Sequence, residues 1–175
     1  VCAFVLEQTG SGGDYHDREQ GHWLVDTLIA TPMSGYPEYK ASRTSFGINV
    51  VSSMVVGVET ADGTVGGSAG QGGAQACYMI EKHFKRFLVG KDPRRLNQFW
   101  DQMYRASRYY GGKGLPLWAI SAVDLALWDL LGHLRQEPVY QMIGGATRDE
   151  IEFYCTGIRP DLAKEAGFIG GKVTL

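Results

Sequence analysis

AISAVDLALWDLLGHLRQEPVYQMIGGATRDEIEFY, residues 119–154, holds the information that sorts this chain into a fold class. Its first part extends back to Leu115, and over LPLWAISAVDLALWDLLGHL (115–134) apolar side chains lie almost all round a helical wheel. A helix of that kind is buried on most sides rather than on one stripe. After the break EPVYQMIGGATRDE the pattern changes. IEFYCTG (151–157) reads as a strand, RPDLAKEAG (159–167) as a short helix, and GGKVTL as another strand. Strand, helix, strand in that order predicts a parallel βαβ unit. One crossover with an open edge is a poor endpoint for a parallel sheet, so residues 148–175 are expected to open a second domain, with residues 1–147 forming the first.

Upstream of the buried helix the pattern is different. VCAFVLE (1–7) is β-branched and apolar and predicts a strand. From Gln8 to about Tyr39 the chain is irregular, with glycines at 10, 12, 13, 21 and 35 and prolines at 32 and 37. An unstructured connection longer than about 12–15 residues is usually functional or disordered. FGINVVSSMVVGVETADGTVGGSAG (46–70) alternates apolar with small or polar residues around Ala61-Asp62-Gly63, the pattern of a β-hairpin with an Asp-Gly turn. Ala76, Ile80, His83, Phe84 and Phe87 then recur at helical spacing and end at Gly90. Asp92-Pro93 is a cap-and-proline start for a second helix, whose inner face is predicted to be Leu96, Trp100, Met103, Tyr104 and Ser107.

Composition narrows the function classes. The 175 residues are 44% hydrophobic and 21% charged, ordinary for a globular protein. A net charge of −2 gives no electrostatic reason to expect nucleic acid or an anionic membrane as partner. Three cysteines, at 2, 77 and 155, form no CxxC, so neither a disulfide framework nor a zinc cluster is expected. No apolar run approaches the ~18–20 residues that span a bilayer. The chain begins at Val1, and a segment upstream is expected; the default location is the cytoplasm.

Several residues could carry chemistry. GGSAG (66–70) fits the nucleophile elbow of serine hydrolases and lies between a strand and a helix. Against that, its strand is half of a hairpin, and His83 and His133 fall inside helices, so Ser68 is expected to be a turn residue. The glycine runs at 10–13 and 66–73 match no phosphate-cradling motif. Asp124 and Asp129 are five apart on a helix and point in different directions; bonds to nearby backbone groups are the expected use of both. GGDYHDREQGHW (12–23) concentrates His16, His22, Asp14, Asp17 and Glu19. Metal binding by such a loop alone would be poorly preorganised, which leaves a histidine aimed into a pocket or a solvated loop. Arg43 in SRTSF (42–46) could grip a carboxylate bidentately or be a surface arginine.

The helix Ala-x-x-x-x-Asp-x-Ala-Leu-x-Asp, the Pro-Val turn that follows it and the Gly-Gly-x-x-Arg entry, all within residues 119–154, strongly resemble the signature of the enolase superfamily, mandelate racemase-like branch. The resemblance implies an α+β, enolase-like N-terminal capping domain, an antiparallel β-hairpin sheet plus a three-helix bundle, followed by the start of a TIM (β/α) barrel. Within that branch GGDYHD, LIATPMSGY, SRTSFGINV, ISAVDLALWDLLG and FYCTGIRPDLAKEAGFIGGKV resemble the sugar-acid dehydratases of the L-rhamnonate type.

That likeness implies a shared chemistry. An acid-sugar carboxylate is held by Mg²⁺, which acidifies the α-proton by stabilising an enediolate; the β-hydroxyl then leaves, giving a 2-keto-3-deoxy acid. The metal ligands and the acid/base histidine belong to later barrel strands, so residues 1–175 alone are expected to bind no catalytic Mg²⁺ and to turn nothing over. Two residues match positions from which capping domains of this type reach substrate: His16, on a loop that closes over the barrel mouth, and Arg43, through charge-assisted hydrogen bonds. Relatives with a Lys-x-Lys on the second barrel strand use its second lysine as a base. Here Lys172 is followed by Thr174, which argues against a racemase. The likeness also implies a homo-oligomer acting on a small acid sugar.

Overall fold

The computed structural model describes residues 1–6, 32–39, 52–156 and 160–172. By internal contacts the chain forms two compact units, Val1–Thr9 with Val51–Ala146, and Gly10–Val50 with Thr147–Leu175.

The first unit is a three-stranded antiparallel sheet covered by helices. Strands β1 (Cys2–Leu6), β2 (Ser53–Glu59) and β3 (Val65–Gln71) lie in the order β1-β2-β3. Leu6 pairs with Ser53 at one end of the β1–β2 ladder and Cys2 with Gly57 at the other. On β2 the alternation is clean: Met54, Val56 and Val58 are buried and their neighbours are not. That period of two is the signature of a sheet with one face in the core. The hairpin turn is where Asp-Gly predicted it. Thr60 N–H donates to Thr64 O at 2.9 Å, Gly63 takes φ +86°, and Asp62 accepts from the Thr60 hydroxyl and the Thr64 amide. Those two donors hold the Asp62 carboxyl below its usual range.

Helix α1 runs over 73–88: Gly73–Met79 and Lys85–Leu88 are α-helical, and Ile80–Phe84 between them is a π-helical turn. Ala76, Ile80, Phe84 and Leu88 point to the core. His83 and Phe87, expected on the inner face, are only half-buried, and Leu88 takes the next core position.

Helix α2 is Leu96–Ser107, starting three residues beyond the predicted Asp92-Pro93 cap. Asp92 uses its carboxylate on the Arg94 amide at 3.0 Å, closing a separate turn before the helix. The inner face is Leu96, Phe99, Met103 and Ser107, so Phe99 replaces the predicted Trp100, which is 37% exposed. Positions 99 and 100 both fit a helical stripe that starts at 96. Trp100 stacks on Tyr104 at the rim instead, ring centroids 5.0 Å apart.

Helix α3, Leu115–Arg135, is the buried rod expected, with Ala119, Ile120, Val123, Ala126, Leu127 and Leu130 in the core. At 21 residues it is long and apolar enough to cross a bilayer by length and composition, a correction to the expectation of no such run. Half of it is buried against its own unit, as in the central helix of a globular core. It ends on Gln136 in the left-handed conformation, with Glu137 N–H reaching back to Gly132 O at 3.0 Å. A short helix α4, Val139–Met142, follows.

In the second unit β4 (Cys155–Thr156) pairs in parallel with β5 (Gly171–Lys172), joined by α5 (Pro160–Glu165). This is the predicted βαβ order, with both strands shorter than expected. Pro32–Gly35 and Pro37–Tyr39 form 3₁₀ turns.

Candidate functional site

The antiparallel pairing of β1 with β2 sets the ends of everything inserted between them. Because Leu6 and Ser53 are register partners, the chain over 7–52 leaves and re-enters the sheet at the same end. His16 and Arg43 both belong to that excursion, His16 within 7–31 and Arg43 within 40–51, and both lie outside the described residues, as do His22, Asp14, Asp17, Glu19 and Thr174. The return point is well defined. Ser52 takes φ +60°, and its carbonyl accepts the Gly72 N–H at 3.1 Å.

Of the other residues singled out by type, Ser68, Asp129 and His133 serve the contact between β3 and α3. Ser68 sits in the middle of β3 opposite Val56, not in a turn as expected, and its hydroxyl donates to Ala122 O at 2.6 Å. The glycines around it have a packing reason. A Cβ on Gly66 would lie 2.3 Å from Ala126 O and 2.4 Å from Leu130 N, so the strand reads as a turn because it is stripped of side chains to admit a helix backbone. Asp129 accepts the Gly67 N–H at 2.8 Å, and His133 Nδ1 donates to Val65 O at 2.7 Å. Since β3 is an edge of the sheet, these two side chains pair backbone groups that would otherwise template another strand. Sequence spacing hid this clamp, although Asp129 and His133 stand four apart on one helical face. Asp124 is half-buried; burial pushes its carboxyl up, opposed by a hydrogen bond from Trp128. His83 Nδ1 shares a 2.6 Å bond with the Tyr110 hydroxyl, and burial first, then Arg86, lowers the ring's basicity.

A serine nucleophile needs a base within reach of its oxygen. Ser68 Oγ faces a helix carbonyl instead. Among the described residues no three of His, Cys, Asp and Glu converge to hold a metal ion. Among the described residues the closest approach of a histidine to an acid, His133 to Asp129 at 3.8 Å, involves groups already bonded to β3. Mg²⁺ takes oxygen ligands in near-octahedral geometry, and these residues do not fit it.

Comparison with known proteins places the fold in a family. The model for the family "Mandelate racemase / muconate lactonizing enzyme, N-terminal domain" matches residues 28–144. A rhamnonate dehydratase from Gibberella zeae, solved in complex with Mg, is 56% identical over 99% of this chain and 43% of its own, with a TM-score of 0.86. A second structure of L-rhamnonate dehydratase from the same organism gives 52% identity, 99% and 41% coverage, and a TM-score of 0.84. The 3,6-anhydro-D-galactonate cycloisomerase of Zobellia galactanivorans is 37% identical over 66% of this chain and 33% of its own, TM-score 0.57. The chain thus spans less than half the length of each of these proteins. Its antiparallel sheet with covering helices is the capping domain of the enolase superfamily, and the chain belongs to the mandelate racemase / muconate lactonizing enzyme family.

Proposed function

We propose that the protein containing this chain is a Mg²⁺-dependent sugar-acid dehydratase acting on L-rhamnonate. The observation that carries this reading is the 56% identity to a rhamnonate dehydratase maintained over 99% of the chain. In the reaction the substrate loses its α-proton and its β-hydroxyl as water, and the resulting enol tautomerises to 2-keto-3-deoxy-L-rhamnonate. Residues 1–147 act as the capping domain and 148–175 as the first two strands of the barrel. Mg²⁺, its ligands and the proton-transfer groups are assigned to the rest of the longer protein, because the residues described here do not fit the ion.

This chain's part is to bind and enclose. His16 contacts substrate from an excursion anchored at the Leu6–Ser53 end of the sheet, and Arg43 holds it by charge-assisted hydrogen bonds. Enclosure excludes water and strengthens electrostatic interactions with the bound acid. Thr174, in place of a second strand-two lysine, favours elimination over racemisation. The Zobellia cycloisomerase, itself named for an acid sugar, makes another acid sugar the second reading.

The test is a screen of acid sugars with the intact protein and Mg²⁺, reading 2-keto-3-deoxy acid formation, with His16→Asn and Arg43→Ala beside it. Losing a charge-assisted contact costs about 2–3 kcal/mol, so each variant is expected to lose roughly 30- to 150-fold in kcat/KM. Near-wild-type turnover of L-rhamnonate by either variant overturns that residue's role. Faster turnover of another acid sugar overturns the substrate.

A further inference from the structure

Where α2 begins beside the end of α3, three guanidinium groups line one cavity of about 490 Å³. Arg94 and Arg95 come from the turn leading into α2, and Arg135 is the last residue of α3. Trp128 and Leu131 from α3 and Met142 from α4 supply its apolar lining. Trp128, Leu131 and Arg135 recur at three and four residues, so they form a single stripe of α3 facing the first turn of α2.

The charges in this cavity are not balanced. Arg94 is neutralised by Asp92, Nη2 to Oδ2 at 2.7 Å. Arg95 donates to the Gln98 amide oxygen at 3.4 Å and interacts through space with the same Asp92, and Arg135 makes no ion pair among the described residues. Among the described residues no acidic side chain lines the cavity. The first turn of α2 also carries no acid and no side-chain cap. A helix start is already electropositive, and Arg95 at the N-cap raises that potential further. Three guanidinium groups against one carboxylate, beside an uncapped helix start and over an indole and aliphatic groups, have the complementarity of a dianion with an apolar body.

We propose that this cavity binds a phosphate monoester, its dianionic head between Arg95 and Arg135 and its organic part against Trp128. A phosphate monoester carries a charge near −2 at neutral pH, matching the excess of the three guanidinium charges over Asp92, and offers three acceptor oxygens to donors that Arg presents as a planar fork. The cavity is larger than a phosphate alone requires, which leaves room for the organic body.

The experiment is calorimetric titration of the intact, EDTA-treated protein with phenyl phosphate, inorganic phosphate and benzoate. It measures binding without turnover, so its result is separate from that for sugar-acid dehydration. Expected are saturable 1:1 binding of phenyl phosphate, weaker binding of inorganic phosphate, and weakening as salt rises. Arg95→Gln and Arg135→Gln are each expected to weaken phenyl phosphate at least ~10-fold, the loss of one charge-assisted contact. Both side chains are exposed, and unchanged circular dichroism confirms that the variants fold. Absence of saturable binding up to ~10 mM, an affinity of ~3 kcal/mol or less, overturns the proposal. So does unchanged affinity in either arginine variant, or benzoate binding as tightly as phenyl phosphate.

Discussion

Replacing Gly66 with alanine tests the packing that organises the first unit. The added Cβ would stand 2.3 Å from Ala126 O, 2.4 Å from Leu130 N and 2.6 Å from Leu130 Cα, all backbone atoms of α3 that no rotamer change can move. Carbon atoms pack at about 3.5–4.0 Å, so the helix must retreat by roughly 1 Å. Overpacking of this kind costs about 1–3 kcal/mol. The retreat also stretches three bonds that tie β3 to α3: Ser68 Oγ to Ala122 O at 2.6 Å, Asp129 to the Gly67 amide at 2.8 Å, and His133 to Val65 O at 2.7 Å. At about 1 kcal/mol each, partial loss brings the total to roughly 3–5 kcal/mol. Gly67 is the control. Its Cβ would meet nothing nearer than Val56 O at 3.9 Å, and alanine in a strand interior is favoured over glycine by about 0.5–1 kcal/mol. Urea denaturation of the intact protein should therefore show Gly66→Ala strongly destabilised and Gly67→Ala unchanged or slightly stabilised. Amide exchange over 122–130 should accelerate in the first variant alone. Equal midpoints for the two variants would refute the close-approach argument.

Ser68→Ala should cost about 1 kcal/mol through the lost bond to Ala122 O and leave turnover in the proposed dehydration unaltered; labelling of wild-type Ser68 by a fluorophosphonate probe would contradict its structural role. Asp92, held down to about 2 first by the Arg94 side chain and then by its amide, should show a carboxyl chemical-shift midpoint near that value. Its folded pKa lies below the unfolded one, so its stabilising contribution is present above about 4 and is lost as pH falls through about 2. A midpoint in the ordinary aspartate range removes the Arg94 pair from consideration. Asp124 has the opposite sign. Burial raises its folded pKa, so its contribution is greatest below the unfolded value and falls as pH rises through the folded one. Asp124→Asn keeps an oxygen for Trp128 and should raise Tm at pH 7 but not at pH 3; equal shifts at both pH values would show that desolvation of the carboxylate is not the cause.

The sequence carried the elements whose pattern is local. The period of two on β2, the Asp-Gly turn and the apolar circumference of α3 each depend on neighbours within one element, and all three stand in the structure. The misreadings have tertiary causes. Phe99 and Trp100 fit the same helical stripe, and only the position of the neighbouring helices makes Phe99 the buried one. GGSAG looks like a turn or a nucleophile elbow because its glycines were assigned to local chain geometry, whereas Gly66 is required by a helix sixty residues away in sequence. β4 is two residues long rather than seven because its ladder extends only where β5 pairs with it. His16 and Arg43 were distinguished from solvated loop residues by the family resemblance, not by their spacing, and no described contact adds to that.

The described part of the chain bears on those two residues through connectivity. Both belong to one excursion whose ends are register partners, Leu6 on β1 and Ser53 on β2. The re-entry is fixed by a conformation that a serine adopts only at a cost, φ +60° at Ser52, on the order of 1–2 kcal/mol. What offsets it is the hydrogen bond from Gly72 N–H, and Gly72 is itself held at φ +124°, where a Cβ would lie 2.5 Å from that of Ala76. The end of the excursion, the end of β3 and the start of α1 therefore share a single junction. β3 is in turn fastened to α3 by Ser68, Asp129 and His133. Fixed ends are what this excursion needs for the substrate-enclosing role proposed for it. Here that constraint falls on the glycine-rich edge strand and the helix locked against it, which is why a stretch with no catalytic role imitates a catalytic motif.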